Sequence, residues 1–165
     1  MTDGFVSLLT FVSAIGSGLV AGIFFAFSAF VMKALSRIPP ARGISAMQSI
    51  NVTVINPWFL VPFLGTGLGC IALAVRSFSN WQTPDARYQL AGSMLYLVGT
   101  ILVTFVFNVP RNDALAAVDP ASTDGARLWS VYVTRWTAWN HVRTAAALAA
   151  AVSFTLALCR AGARA

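Results

Sequence analysis

Four stretches of the chain consist almost entirely of apolar residues, and most polar residues are confined to the segments between them. These stretches cover about residues 5–32, 54–75, 90–109 and 138–158. Each predicts a membrane-spanning helix, because a helix needs roughly 20 residues to cross the hydrocarbon layer. We therefore expect residues 1–165 to form a single domain, an all-α integral membrane four-helix bundle.

The composition agrees with a membrane protein and narrows the choice of partners. The chain is 58% hydrophobic and 10% charged, and it contains no glutamate, which lies outside the range of ordinary globular proteins. Its formal net charge of +6 is spread over the connecting segments. Since no basic block with interleaved aromatic residues is present, we expect membrane lipids as partners and no nucleic acid. The expected location is a bacterial inner membrane, as a multi-pass protein.

Prolines predict where helices end and begin on one side of the bundle. Pro39 and Pro40 should end any helix that continues from the first apolar stretch, because proline lacks the amide donor and restrains the residue before it. Residues 44–55 then show apolar positions at helical spacing. Asn56 is predicted to cap the next helix, with Pro57 in its first turn.

Polar side chains gather where the helices meet the two longest polar segments, 33–51 and 111–135, which lie on the same side of the predicted bundle. They are Gln48, Asn51, Asn56, Asn108, Asn112, Trp129, Tyr132, Trp136, Asn140, His141, Arg143 and Thr144. Unpaired polar groups cost several kcal/mol in hydrocarbon, so these groups should face the interior and bond to one another. They either brace the helix ends or form a reactive site, and both interpretations stay open at this point.

The start of the last apolar stretch carries the densest polar chemistry. Trp136, Asn140, Arg143 and Thr144 share a helical face, whereas His141 is turned by about 100° from Asn140. A histidine can accept a proton near neutral pH, and an interior arginine can stabilise a phenolate, an enolate or a lipid phosphate. A purely structural hydrogen bond is the alternative role for His141.

Metal and cysteine chemistry are not expected. A metal ion needs about three histidine, cysteine or carboxylate ligands, and the chain has one histidine and no carboxylate within the four apolar stretches. We therefore predict no cofactor, although a haem with His141 as its single axial ligand stays open. Cys70 and Cys159 are interpreted as packing residues, because no C-x-x-C spacing links them.

Three motifs, in this order along the chain, indicate a family. They are "MQSINVTVINPWF", "FNVPRNDAL" and "WSVYVTRWTAWNHVRT". With them the chain resembles, over about residues 8–158, the DUF1772 family of small four-helix membrane proteins, which includes the fungal anthrone oxygenases. The resemblance implies an oxygenase that converts an anthrone to an anthraquinone with molecular oxygen, without metal or flavin.

The resemblance also suggests roles for individual residues. Deprotonation of an anthrone or a hydroquinone-like molecule gives an electron-rich anion that can itself reduce oxygen, so the reaction needs a base, an oxyanion stabiliser and an apolar aromatic pocket. On this hypothesis His141 accepts the proton, and Arg143 or Asn140 holds the oxyanion. The apolar aromatic substrate would be bound by Asn56, Asn108, Asn112, Trp58, Trp136 and Trp139.

A non-enzymatic function is the alternative hypothesis. The chain would then bind a lipid or a quinone, or serve as an accessory subunit, and its polar cluster would be structural. An oxygenase predicts a closed apolar pocket into which His141 and Arg143 point, whereas a brace predicts that connecting backbone satisfies both groups. Transport is disfavoured because a small bundle without an inverted repeat lacks the usual machinery; it would require a homo-oligomer, which the sequence leaves open.

Overall fold

The computed structural model describes residues 3–162, and in that range the chain forms five helices and no strand. The helices are α1 (Gly4–Leu35), α2 (Pro40–Thr53), α3 (Pro57–Ser79), α4 (Pro84–Ala116) and α5 (Thr123–Gly162). All except α2 are long and apolar enough to cross a membrane. The predicted all-α membrane bundle is therefore confirmed.

The helices extend beyond the apolar stretches that predicted them, most of all on the side of the polar segments. Helix α4 continues to Ala116 instead of ending near 109, and α5 begins at Thr123 instead of near 138. With 40 residues, α5 is about 60 Å long, roughly twice the thickness of the hydrocarbon layer. Hydropathy locates the part of a helix that suits lipid, whereas backbone hydrogen bonding continues into polar sequence.

The proline and asparagine predictions at α2 and α3 are confirmed. Helix α2 begins at Pro40, and Asn56 caps α3 by accepting a hydrogen bond from the Phe59 amide at 3.2 Å. The Asn56 amide nitrogen donates to the Thr53 carbonyl at 2.7 Å. Both ends of this side chain are thus used within the connection between α2 and α3.

Buried apolar residues form two clusters, one above the other along the bundle. The first, among α1, α3, α4 and α5, contains Val6, Val20, Ala21, Phe24, Phe63, Cys70, Leu73, Tyr96, Ala147, Ala150 and Phe154. The second, under α2, contains Met32, Ile44, Met47, Leu115, Trp129, Tyr132 and Trp136. Cys70 is buried, as expected of a packing residue, but Cys159 is exposed. The interpretation of Cys159 as a packing residue is therefore wrong.

Two glycines bring α1 and α3 into close contact. A Cβ atom at Gly16 would clash with the Thr66 side chain, and one at Gly69 would lie 2.9 Å from the Ser13 hydroxyl. Small residues allow such backbone approach in lipid, where no hydrophobic force drives helices together. By contrast, a Cβ at Gly18 would meet nothing within 4 Å, so the close approach does not include this glycine.

Wider π-helical turns interrupt α1 and α4 at the level between the two clusters. They lie at Phe27–Val31 in α1 and at Leu97–Leu102 and Thr104–Asn108 in α4. Such turns are frequent at functional sites, because they alter which side chains face a neighbouring helix. All three lie opposite α5, near the polar groups described next.

Candidate functional site

Arg143 lies inside the bundle, with only 4% of its surface exposed. One guanidinium nitrogen, Nη2, donates to the Asn140 side-chain oxygen at 2.5 Å, and Nη1 donates to the Thr104 hydroxyl at 3.2 Å. Its Nε has no hydrogen-bond partner. Helix α5 places Arg143 one turn after Asn140, and the second π turn of α4 provides Thr104. The side chain is thus anchored at its tip only.

No ion pair among the described residues neutralises this charge. The guanidinium carbon instead lies 4.1 Å from the centre of the Phe24 ring and 5.1 Å from that of Trp136. Aromatic faces attract cations through their quadrupole, but they carry no net charge. The interior therefore keeps a positive charge that a transient anion nearby could balance.

Asn140 is fully buried and connects Arg143 to α1. Its side-chain nitrogen donates to the Phe24 carbonyl and to the Ser28 hydroxyl, each at 2.6 Å. A primary amide has two N–H groups, so both are used inside the protein. Asn140 therefore has no further donor to offer a bound molecule.

His141 occupies a different face of α5 from Arg143. It is exposed and borders a groove of about 390 Å³ between α1 and α5. The groove is lined by Ser28, Met32, Lys33, Ser36, Val133, Thr134, Thr137, Ala138 and His141. This arrangement differs from the expected closed pocket shared by His141 and Arg143, because about 100° per residue separates neighbouring side chains on a helix. Ser28 connects the two regions, since it lines the groove and bonds to Asn140.

Asn108 and Asn112 both support Trp136. The Asn112 side-chain oxygen accepts hydrogen bonds from Trp136 Nε1 at 2.8 Å and from the Tyr132 hydroxyl at 3.0 Å. Asn108 donates to the Trp136 carbonyl at 3.2 Å, and its own side-chain oxygen is buried without a partner. These bonds hold the ring that lies against Arg143, so five of the predicted site residues come together: Asn108, Asn112, Trp136, Asn140 and Arg143.

Of the three other residues predicted to bind substrate, two make contacts elsewhere and one is exposed. Asn56 is engaged as the cap of α3, and Trp58, in the next turn, is 92% exposed on the outside of the bundle. Trp139 stacks on Phe107 of α4, with ring centroids 3.6 Å apart and planes inclined by 6°. The expectation that Asn56 bonds to the other polar side chains of this group is wrong, because both ends of its side chain are used locally.

Sequence reasoning missed four residues that the structure adds to this region: Phe24, Ser28, Lys33 and Thr104. The available signal was weak. Ser28 interrupts the run "FFAFSAFVM" and Thr104 interrupts "ILVTFVFN", and a single hydroxyl in an apolar helix usually bonds to its own backbone. Only the packing of α1 and α4 against α5 brings these hydroxyls to the Asn140–Arg143 pair.

No three histidine, cysteine or carboxylate side chains among the described residues lie close enough to hold a metal ion. A haem, which the sequence leaves open, would find His141 as its single imidazole ligand at the groove. The chemistry that the arrangement offers from its own residues is proton transfer at His141 and stabilisation of negative charge by Arg143 and Lys33.

Comparison with known proteins places part of the chain in a family. The family model described as anthrone oxygenase matches residues 58–153, more than half of the 165 residues. This segment includes α4 and the part of α5 that carries Asn140, His141 and Arg143, whereas α1, with Ser28 and Lys33, precedes it. No curated protein and no solved structure matches the chain.

Proposed function

Because the chain belongs to the anthrone oxygenase family, we propose that it oxidises an apolar polycyclic phenol or anthrone with molecular oxygen, as a multi-pass protein of a bacterial inner membrane. The observation that carries this proposal is the position of Ser28. It lines the groove together with His141 and also bonds to the buried Asn140–Arg143 pair. The groove thus contains the candidate base His141 and is connected, through Ser28 and Asn140, to the buried positive charge of Arg143.

The size and the walls of the groove suit such a substrate. Its volume of about 390 Å³ lies in the range of small-molecule sites, roughly 300–1,000 Å³. Met32, Val133 and Ala138 provide apolar wall, and Lys33 and His141 provide two titratable groups. Because α1 is also exposed along an apolar face that includes Phe25 and Phe30, an apolar molecule can approach from the bilayer.

The proposed reaction begins with proton transfer to His141. Removal of one proton from the acidic carbon of an anthrone leaves a carbanion whose charge is shared, through the aromatic rings, with the carbonyl oxygen. This anion passes one electron to O₂, and the resulting radical and superoxide combine to form a carbon–oxygen bond. The peroxide takes the proton back from His141. Loss of the remaining hydrogen on that carbon, with cleavage of the O–O bond, releases one water and leaves the quinone.

Arg143 contributes electrostatically in this proposal. The interior charge lowers the energy of the anion and of the transition state that leads to it. Asn108 and Asn112 act indirectly, through Trp136, by keeping the aromatic surface beside the guanidinium in place. Trp58, which is exposed, and Trp139, which stacks on Phe107, take no part in the proposed mechanism.

The experiment is oxygen consumption and quinone formation by the purified protein with an anthrone. We expect the wild type to exceed the spontaneous rate and His141→Ala to lose this excess. Val142→Ala is the matched control, because Val142 is the next residue on α5 and is 42% exposed. No turnover by the wild type above the spontaneous rate would refute the proposal.

A second candidate function is binding of a quinone or a lipid without turnover. It is favoured by one observation, that both N–H groups of Asn140 are used within the protein, as in a structural brace. In that case hydroxyquinones should bind to the wild type and to His141→Ala equally well, and neither should consume oxygen. The same preparations therefore separate the two functions.

A further inference from the structure

A directed chain of hydrogen bonds runs from the buried cation to the groove. Arg143 Nη2 donates to the Asn140 side-chain oxygen at 2.5 Å. The Asn140 side-chain nitrogen then donates to Ser28 Oγ at 2.6 Å. Both bonds donate in the same direction, away from the guanidinium, and Ser28, the last acceptor, lines the groove.

The hydroxyl hydrogen of Ser28 is left for a further acceptor. Serines in helices of this protein usually donate to the carbonyl four residues before them, as Ser45 does to Ala41, Ser77 to Leu73 and Ser153 to Ala149. At Ser28 the corresponding carbonyl is that of Phe24, and Asn140 already donates to it at 2.6 Å. Among the hydrogen bonds of the described residues, none has Ser28 as its donor.

The two hydrogen bonds in series also make the Ser28 hydroxyl a stronger donor than the hydroxyl of an isolated serine. Hydrogen bonds in series polarise one another in a low-dielectric interior, and a bond that starts from an ionised group is stronger than a neutral one. No carboxylate of the described residues offsets the positive charge of Arg143. Through the two hydrogen bonds, this charge polarises the O–H bond of Ser28. An anionic oxygen in the groove would gain most from such a donor.

We propose that Ser28 donates a hydrogen bond to the anionic oxygen of an enolate or phenolate bound in the groove, and that Arg143 acts through Asn140 and Ser28 without touching the substrate. This inference rests on the proposed function for the identity of the substrate. Ser28 would be a catalytic residue at the oxygen end of the conjugated system, while His141 exchanges the proton at its carbon end. Asn140 and Arg143 would be positioning and polarising residues.

The test uses a hydroxyanthraquinone dye whose visible absorption differs between its phenol and phenolate forms. The dye is bound to the purified protein and titrated with alkali. Ser28→Ala should raise, by about one unit, the pH at which half of the bound dye is ionised, because a hydrogen bond to an ionised group changes an equilibrium roughly tenfold or more. The same variant should lower the rate constant kcat for anthrone oxidation by about 100-fold.

Two further variants control for a purely structural effect. Ser28→Thr keeps a hydroxyl and should restore the dye titration and most of the turnover. Ser45→Ala removes an exposed helical hydroxyl that does not line the groove and that donates to the Ala41 carbonyl at 2.9 Å, and it should leave both measurements unchanged. If Ser28→Ala fails to fold, Ser28→Cys, with its weak S–H donor, should give the same direction of change.

The outcomes separate this inference from the proposed function. A Ser28→Ala protein that titrates the dye and oxidises anthrone like the wild type would overturn the role of Ser28, while loss of turnover in His141→Ala would still support the oxygenase. Conversely, a wild type without turnover whose bound dye still responds to Ser28→Ala would refute the oxygenase and support the hydrogen bond. If the wild type does not bind the dye, the groove is not the site and the inference is wrong.

Discussion

Arg143 and Asn140, one turn apart on α5, are joined by a 2.5 Å hydrogen bond in the interior of the bundle, and no carboxylate of the described residues lies in ion-pair contact with the guanidinium. A buried cation without a counter-ion is unfavourable for stability. Its presence is easier to explain by charge stabilisation during a reaction than by bracing, since an apolar side chain would brace the helices at lower cost.

Replacing Arg143 with methionine tests whether the charge serves stability or activity. Methionine fills similar space without charge, and such replacement of buried charges is often neutral or stabilising. We expect Arg143→Met to retain a Tm within a few degrees of the wild type, while anthrone oxidation falls by about 100-fold or more. Thermal unfolding in detergent and oxygen consumption measure the two effects. Large destabilisation with retained specific activity would favour the structural brace.

Asn112 is expected to stabilise the fold because its side-chain oxygen accepts two hydrogen bonds from buried groups. In Asn112→Leu the Trp136 Nε1 and the Tyr132 hydroxyl lose their shared acceptor. Each unsatisfied buried donor costs about 1–3 kcal/mol, so the variant should unfold several degrees below the wild type. Asn112→Asp, which keeps an acceptor, should lose less. Asp113→Ala is the control, because Asp113 is the exposed next residue, and an equal loss there would contradict the prediction.

The two exposed or peripheral tryptophans should be dispensable for turnover. Trp58 is 92% exposed, and the Trp139 ring is engaged in stacking on Phe107. We expect Trp58→Ala to oxidise anthrone at a rate within about twofold of the wild type, since replacing an exposed side chain usually has little effect on the fold. Trp136→Ala, made in parallel, should lose activity because it removes the ring beside Arg143. Loss in Trp58→Ala at unchanged Tm would restore Trp58 to the site.

Gly16 and Gly18 form a matched pair for the contact between α1 and α3. A methyl group at Gly16 would clash with Thr66, whereas one at Gly18 meets nothing within 4 Å. Gly16→Ala should destabilise the protein by about 1–3 kcal/mol through overpacking, and Gly18→Ala should be neutral or slightly stabilising because alanine favours helix. Adding Thr66→Ala should recover much of the loss at Gly16. Equal effects at the two glycines would show that α1 and α3 do not approach closely.

The structure brings only some of the predicted site residues together, and the separation of the others has a common physical cause. Helical periodicity predicts that Asn140 and Arg143 share a face and that His141 points elsewhere, and the structure agrees. It does not predict that α1 supplies the groove beside His141, or that Asn112 accepts hydrogen bonds from Tyr132 and Trp136. Asn56 and Trp58 were grouped with the site because they lie at the same depth, but depth does not determine the direction of a side chain.

The amino-acid sequence alone establishes the membrane class, the approximate position of the four long helices and the resemblance to the family. These follow from hydropathy, proline positions and motifs, which are properties of short segments. The ends of α4 and α5 and the partners of Arg143 depend on the tertiary structure. A hydrogen bond from Asn140 to Ser28 joins residues 112 positions apart, and it exists only once α1 and α5 have packed with a particular rotation and register. The local sequence does not determine that rotation. It depends on how side chains such as Phe24 and Trp136 pack around the guanidinium.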